Sequence, residues 1–201
     1  MDIFLVVALL ALGVHTLKSR EQAKRIALLG GYLAKFQIEK LMQDVLLGYQ
    51  RALGEADEDR QAQVWRYLEQ TEQLLRDQFN RFTLEFAKED EPQTRGSRLA
   101  LAWPFVVQLF PAVTFDMRKL LSVHAHGISQ AVSNSLAQTP KRKAFTVMAE
   151  LLLMQHSCHW FCRSKTVASA RLLARHQTSY ADALAAVAPD TRRAYASVIG
   201  H

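Results

Sequence analysis

The sequence predicts an all-α protein, with a long αα-hairpin and further helices forming a helical bundle behind a short hydrophobic N-terminal helix. Three observations carry this. Apolar residues recur at three- and four-residue steps over long stretches, the period of a helix face turned to a core. No proline occurs before Pro92, so nothing there forces a helix to break. Turn residues are sparse, with five prolines and eight glycines in 201 residues, whereas an all-β chain needs a turn about every 8–12 residues. With 49% hydrophobic and 22% charged residues the composition suits a packed core.

The chain opens on an unbroken apolar run from Ile3 to Val14, followed closely by Lys18, Arg20, Lys24 and Arg25. A cleaved leader carries its positive charge before the run and small residues after it. Here Asp2 precedes the run and no Ala-x-Ala follows, so secretion is not expected. Residues 1–17 reach the lower limit for a bilayer span, which needs about 20 apolar residues. We read them as a membrane anchor whose lipid-facing side chains include Ile3, Phe4, Leu5, Leu9, Leu10 and Leu12. Basic residues stay on the cytoplasmic side of a span. That orientation puts the bulk of the chain at the cytoplasmic face of the inner membrane. The competing reading wraps the run inside the protein's own helices or an oligomer.

Residues 18–91 predict an acidic hairpin. Ser19 to Leu53 reads as one helix through Ile26, Leu29, Leu33, Ile38, Met42, Val45, Tyr49 and Leu53, with a slip of phase near Phe36. Gly54 stops it, and Asp57, Glu58 and Asp59 put negative charge at the start of the next helix, where the dipole favours it. The second arm, Asp57 to Lys88, lines up Val64, Leu68, Leu75, Phe79, Phe82 and Phe86. At about 1.5 Å per residue each arm is expected to run some 50 Å. Glu89 to Ser97 has no apolar residue and reads as a linker to a basic region, 92–201, expected to pack with the hairpin as one unit.

Charge divides at this linker. Residues through Glu91 carry 12 Lys+Arg against 15 Asp+Glu, and those from Pro92 carry 13 against 4, giving −3 and +9. A basic half favours an anionic partner, whether lipid headgroups, nucleic acid or the acidic hairpin.

Leu99 to Phe115 carries no charge and contains Trp103, Phe105, Phe110, Pro104 and Pro111. Two prolines argue against a straight span, since each frees backbone groups that need new partners. A kinked segment of buried core is expected, with an interfacial or re-entrant membrane segment as the alternative. Met117 to Leu136 continues as helix. Thr139-Pro140 supplies a cap and a first-turn proline for a helix expected to reach about His176. Lys141, Arg142 and Lys143 occupy its first turn, the end where cations oppose the dipole, and so mark a candidate contact for an anion or a membrane surface. Ser179 to Asp182 resembles a capping box, and a last amphipathic helix follows Pro189.

One cluster invites a ligand. Cys158, His159 and Cys162 fall on one face of a helix, with His156 further round, and these donors suit zinc, copper or haem iron. So close together on one helix they need ligands from elsewhere, with His124, His126 or Glu150 as sources. The two cysteines lie one helical turn apart, awkward for a disulfide, and suit a reducing compartment. No phosphate-binding loop, nucleophile elbow or His-Glu-x-x-His motif occurs. Glu150 is the only carboxylate between Met117 and Tyr180, which argues against a carboxylate-bridged metal pair. Asp116 and His124 with a serine suggest a triad by composition only.

The expectation is a non-enzymatic, membrane-anchored helical scaffold, assembly factor or complex subunit without cofactor. Its partners are membrane lipids and a protein or a second copy. The alternative is a soluble helical protein binding a metal, haem or small ligand near His159. A nucleic-acid-binding regulator ranks third, because the basic residues are scattered rather than striped.

Overall fold

The computed structural model describes residues 2–200, and Met1, part of the apolar opening, lies outside them. The described chain is 79% helical and 3% strand, which makes the protein all-α.

The opening run and the start of the expected first arm form one helix, α1 (Asp2–Leu33). The slip of phase near Phe36 is a true break. There the backbone N–H of Gln37 donates to Gln78 Oε1 at 2.7 Å, and Phe36 packs edge-on against Phe82 at 6.1 Å. The hairpin is therefore α2 (Ile38–Gly54) with α3 (Glu58–Phe86), of 17 and 29 residues. At about 1.5 Å per residue its arms span roughly 26 and 44 Å, not 50 Å each. The Asp57 carboxylate caps α3 by accepting the Arg60 N–H at 3.0 Å. Gly48 lets the arms close, because Leu68 fills the space a Cβ would need.

The expected linker carries structure of its own. A short helix, α4 (Glu91–Thr94), leads into β1 (Arg95–Ser97), which pairs antiparallel with β2 (Thr114–Asp116). Between the strands lie α5 (Val106–Leu109) and a 3-10 turn at Pro111–Val113. Asp116 then caps α6 (Met117–Val132), accepting the Arg118 N–H at 2.9 Å.

Thr139 and Pro140 start α7 (Pro140–Cys162) as expected, but α7 ends at Cys162 instead of running to His176. Ser164 accepts the Val167 N–H at 3.3 Å and begins a new helix, α8 (Lys165–His176). Ser179 likewise caps α9 (Tyr180–Ala186), and Pro189 opens α10 (Pro189–Ile199).

Helix α7 is the axis of the bundle. It buries Ala144, Val147, Leu151, Leu153, Trp160 and Phe161 against its neighbours. Phe86 of the hairpin meets Phe161 edge-on at 6.5 Å, and the acidic and basic regions share one continuous core. Helices α1 and α2 run antiparallel to α7. Gln22 meets Arg163, Arg25 lies over Phe161, Met42 lines one groove with Met154, and Tyr49 of α2 bonds Glu72 of α3, which meets Lys143. The bundle thus has a near end, beside residues 17–25 of α1, and a far end at the start of α7.

Candidate functional site

The first half of α1 stands clear of the bundle. Every residue from Ile3 to Leu17 is exposed, with Phe4 at 79% and Leu10 at 64%. Ile3–Leu33 is long and apolar enough to cross a membrane, and none of its apolar window is buried. Docking begins one turn later. Gln22 and Leu29 are buried, and Gln22 Oε1 accepts from Arg163 Nη1 at 2.9 Å.

The uncharged segment after Leu99 is not kinked buried core. It forms a loop at the near end, wrapped about the first docked turns of α1, and its apolar side chains face out. Leu99, Leu101, Trp103, Phe105, Leu109 and Phe110 are all exposed, while Val106 is buried. Its main chain is held firmly all the same. The β1–β2 ribbon closes its base, and Trp160 Nε1 donates to Ser97 O at 2.8 Å. The Ala100 carbonyl accepts from the Thr166 N–H at 3.1 Å and from its hydroxyl at 2.9 Å. On α1, Glu21 Oε1 accepts the backbone N–H of Phe105 at 2.9 Å. Phe105 adopts a left-handed conformation with φ 60°, a strain of about 1–3 kcal/mol that surrounding contacts must hold in place. Pro104 explains part of the difference from expectation: its sequence signal is a break in a helix, but here no long helix exists to break.

Cys158, His159 and Cys162 do share one region, a groove of about 370 Å³ between α1, α2, α7 and α8. Ile26, Leu29, Leu33, Ile38 and Met42 form its apolar wall, and Glu39, Arg163 and Arg171 supply its charged lining. The three do not assemble a metal centre. Among the described residues, no group of three or more His, Cys, Asp or Glu side chains is placed to hold a metal ion. Burial raises both thiols, Cys162 to about 11, so neither offers a ready thiolate. Burial also lowers the His159 pKa, helped by Arg171, whose Nη1 lies 3.3 Å from His159 Nδ1. Two arginines against the single carboxylate of Glu39 leave the lining net basic, which suits an anionic group better than a cation.

The basic turn is displaced from the role expected of it. Lys143 Nζ bonds the buried carboxylate of Glu72, which also accepts the Tyr49 hydroxyl at 2.6 Å. Lys143 therefore has an internal anion, and that pair explains a cation against the helix dipole. Lys141 and Arg142 are exposed but stand at the far end of α7, 20 or more residues from Cys162 beside α1. At about 1.5 Å per residue that is roughly 30 Å along α7 from the docked turn of α1 at Arg25, with the exposed apolar segment beginning further on, too far for one flat surface to touch both.

Sequence reasoning missed a buried polar centre around α7. His124 Nε2 lies 2.8 Å from Ser157 Oγ, whose single proton goes to the Leu153 carbonyl at 3.0 Å. The histidine therefore donates to the serine, the reverse of a base activating a nucleophile. Burial lowers His124 to about 3 and keeps it neutral. Asp116, the imagined third member, instead caps α6 and binds Arg118 at 2.7 Å. Glu150 Oε1 accepts the Ala188 N–H at 3.1 Å, and burial raises this carboxyl to about 7. Its other oxygen lies with Thr191 Oγ1 against Gly127, where a Cβ would collide with both. His156 bonds Ser169 Oγ at 3.0 Å and stacks on Tyr180 at 4.4 Å, tying α8 and α9 to α7. The available signal was Glu150, the one charged residue in the apolar stretch from Ala144 to Met154 on α7; His124, flanked by Ser122 and His126, gave none.

Compared with known proteins, the chain matches no family model, no curated protein and no solved structure. What defines it is its own architecture: a single helical bundle with an uncovered apolar stem.

Proposed function

We propose that this chain is a membrane-anchored helical scaffold or complex subunit, non-enzymatic, working through protein contacts at the cytoplasmic face of the inner membrane. One observation carries the proposal: the apolar stem, residues 3–17, projects from a bundle that buries its remaining apolar helices well. A contiguous apolar surface of that kind is avoided by soluble monomers and favoured by lipid. Leu, Ile, Val and Phe each contribute about 0.3–0.6 kcal/mol to insertion near a bilayer centre. Lys18, Arg20, Lys24 and Arg25 against the lone Asp2 orient the stem with the bundle on the cytoplasmic side. For protein contact, α3 offers exposed Tyr67, Leu74 and Leu84 on the acidic hairpin. Cell fractionation of the full chain tests the anchor. Retention in membranes through high salt and alkaline carbonate is expected, and recovery in the soluble fraction rejects it.

The groove beside Cys158 and His159 supports a second reading, a soluble or membrane-bound carrier of an apolar ligand with an anionic end. The apolar wall fits an acyl chain, and Arg163 and Arg171 fit a carboxylate. A raised melting temperature with a long-chain carboxylate, lost in Arg171→Ala, supports it. No shift with the carboxylate rejects it.

A further inference from the structure

We infer that the loop between β1 and β2 is a second membrane contact, seating in the lipid headgroup region around the base of α1. The inference rests on the anchor proposed above and adds the surface that fixes how the bundle stands on the bilayer.

Three features point there together. The loop puts six large apolar side chains into solvent within twelve residues, Leu99, Leu101, Trp103, Phe105, Leu109 and Phe110. Its backbone is nonetheless pinned at Ser97, Ala100 and Phe105 by donors from α7, α8 and an acceptor on α1. Conformational entropy is thus given up to present apolar groups outward, with burial of Val106 alone among the loop's large side chains to offset it. A flexible tip would need no such restraint.

Position names the occupant. Phe105 lies with Leu17, Arg20 and Lys24, and Leu101 and Trp103 lie with Lys18 and Glu21. The loop therefore surrounds α1 where its apolar run gives way to basic residues, the level at which a span meets headgroups. Trp and Phe are favoured at that level, and Lys18, Arg20 and Lys24 supply charge for acidic lipid. A protein partner on this face would have to share it with the membrane into which α1 continues.

The length of the stem fits as well. Residues 3–17 extend only about 22 Å at ~1.5 Å per residue, short of the ~30 Å hydrocarbon layer. A short span draws its flanks down to the interface, and the flank here is this loop.

Quenching of tryptophan by brominated lipid tests the inference in the full chain. The protein has three tryptophans, of which Trp160 is buried and Trp65 lies near the far end of the hairpin. With the chain reconstituted in phosphatidylcholine–phosphatidylglycerol vesicles, bromines placed high on the acyl chains should quench about a third of the emission, Trp103's share by number. In Trp103→Phe, which keeps the apolar bulk, that quenching should vanish while the protein still floats with the vesicles. Flotation with equal quenching in both chains, or none in either, overturns the loop contact and leaves the anchor standing. A chain that does not float removes the anchor reading and this inference with it.

Discussion

The two ends of α7 are built on opposite terms. At the far end, Lys141, Arg142 and Lys143 gather positive charge, yet Lys143 is paired internally with Glu72, which Tyr49 also bonds. At the near end, the uncharged loop and the opening of α1 leave large apolar groups exposed. Part of a dense run of charge thus serves the protein's interior, while a run without charge is what faces outward. On the proposed function, the exposed apolar surface, not the charged one, is where this molecule meets something else.

The largest effect that separates the ends is removal of residues 3–17. The truncated chain is expected to lose its carbonate-resistant membrane retention while its helical circular dichroism persists, because residues 3–17 are all exposed and only Leu17 at their base lies beside the loop. Loss of the folded signal would show that the stem belongs to the core. At the opposite end, Lys143→Ala leaves Glu72 charged and buried beside Tyr49, a loss of about 3 kcal/mol. Urea unfolding checks it, and vesicle binding should not change. An unchanged midpoint would place Lys143 among the free surface cations.

Next comes the buried centre between the ends, where pH is the probe. Burial lowers His124 to about 3 and His156 to about 4. Depressed histidines contribute stability above their unfolded pKa of about 6.5, and lose it as pH falls toward the folded values. Glu150, raised to about 7, acts in the other direction, contributing most below its unfolded value and losing it as pH rises through 7. Between about pH 6.5 and 4.5 His124 and His156, joined by His159 and His176, whose pKa values burial also lowers, oppose one carboxyl, so acidification brings a net loss of stability. Glu150→Gln removes the opposing group, so the slope should steepen in denaturant titrations across that range. An unaltered slope would mean that Glu150 is ionised in the folded protein. The smallest effect is Ser164→Ala, which costs about 1 kcal/mol at the α7–α8 break through loss of a cap. Its urea midpoint should fall slightly, and no fall would deny the cap a role in stability.

Local chemistry was legible where one residue decides one geometry. Asp57, Thr139 and Ser179 cap the helices they were expected to start, and the apolar seams of α2 and α3 are buried as their spacing predicts. Where a signal had two meanings, the sequence left the choice open. The slip at Phe36 fitted a widened stripe as well as a break, and only the Gln37–Gln78 contact with α3 decides for the break. Ser164 was overlooked as a cap because apolar periodicity continues across it into α8. The site was less legible than the fold. Burial of Leu99 to Phe110 depends on whether other elements reach it, and sequence spacing is silent about that. The same holds for Lys143, whose partner Glu72 lies 71 residues away.

The central claim is that the stem of α1 lies in lipid, and site-directed labelling tests it most directly. In a Cys158→Ser/Cys162→Ser background, Leu10→Cys in intact membranes should resist a water-soluble maleimide and react only after detergent. Ala23→Cys, exposed on the docked turn of α1, should react in both conditions. Equal labelling of both positions before detergent would place the stem in water and contradict the account.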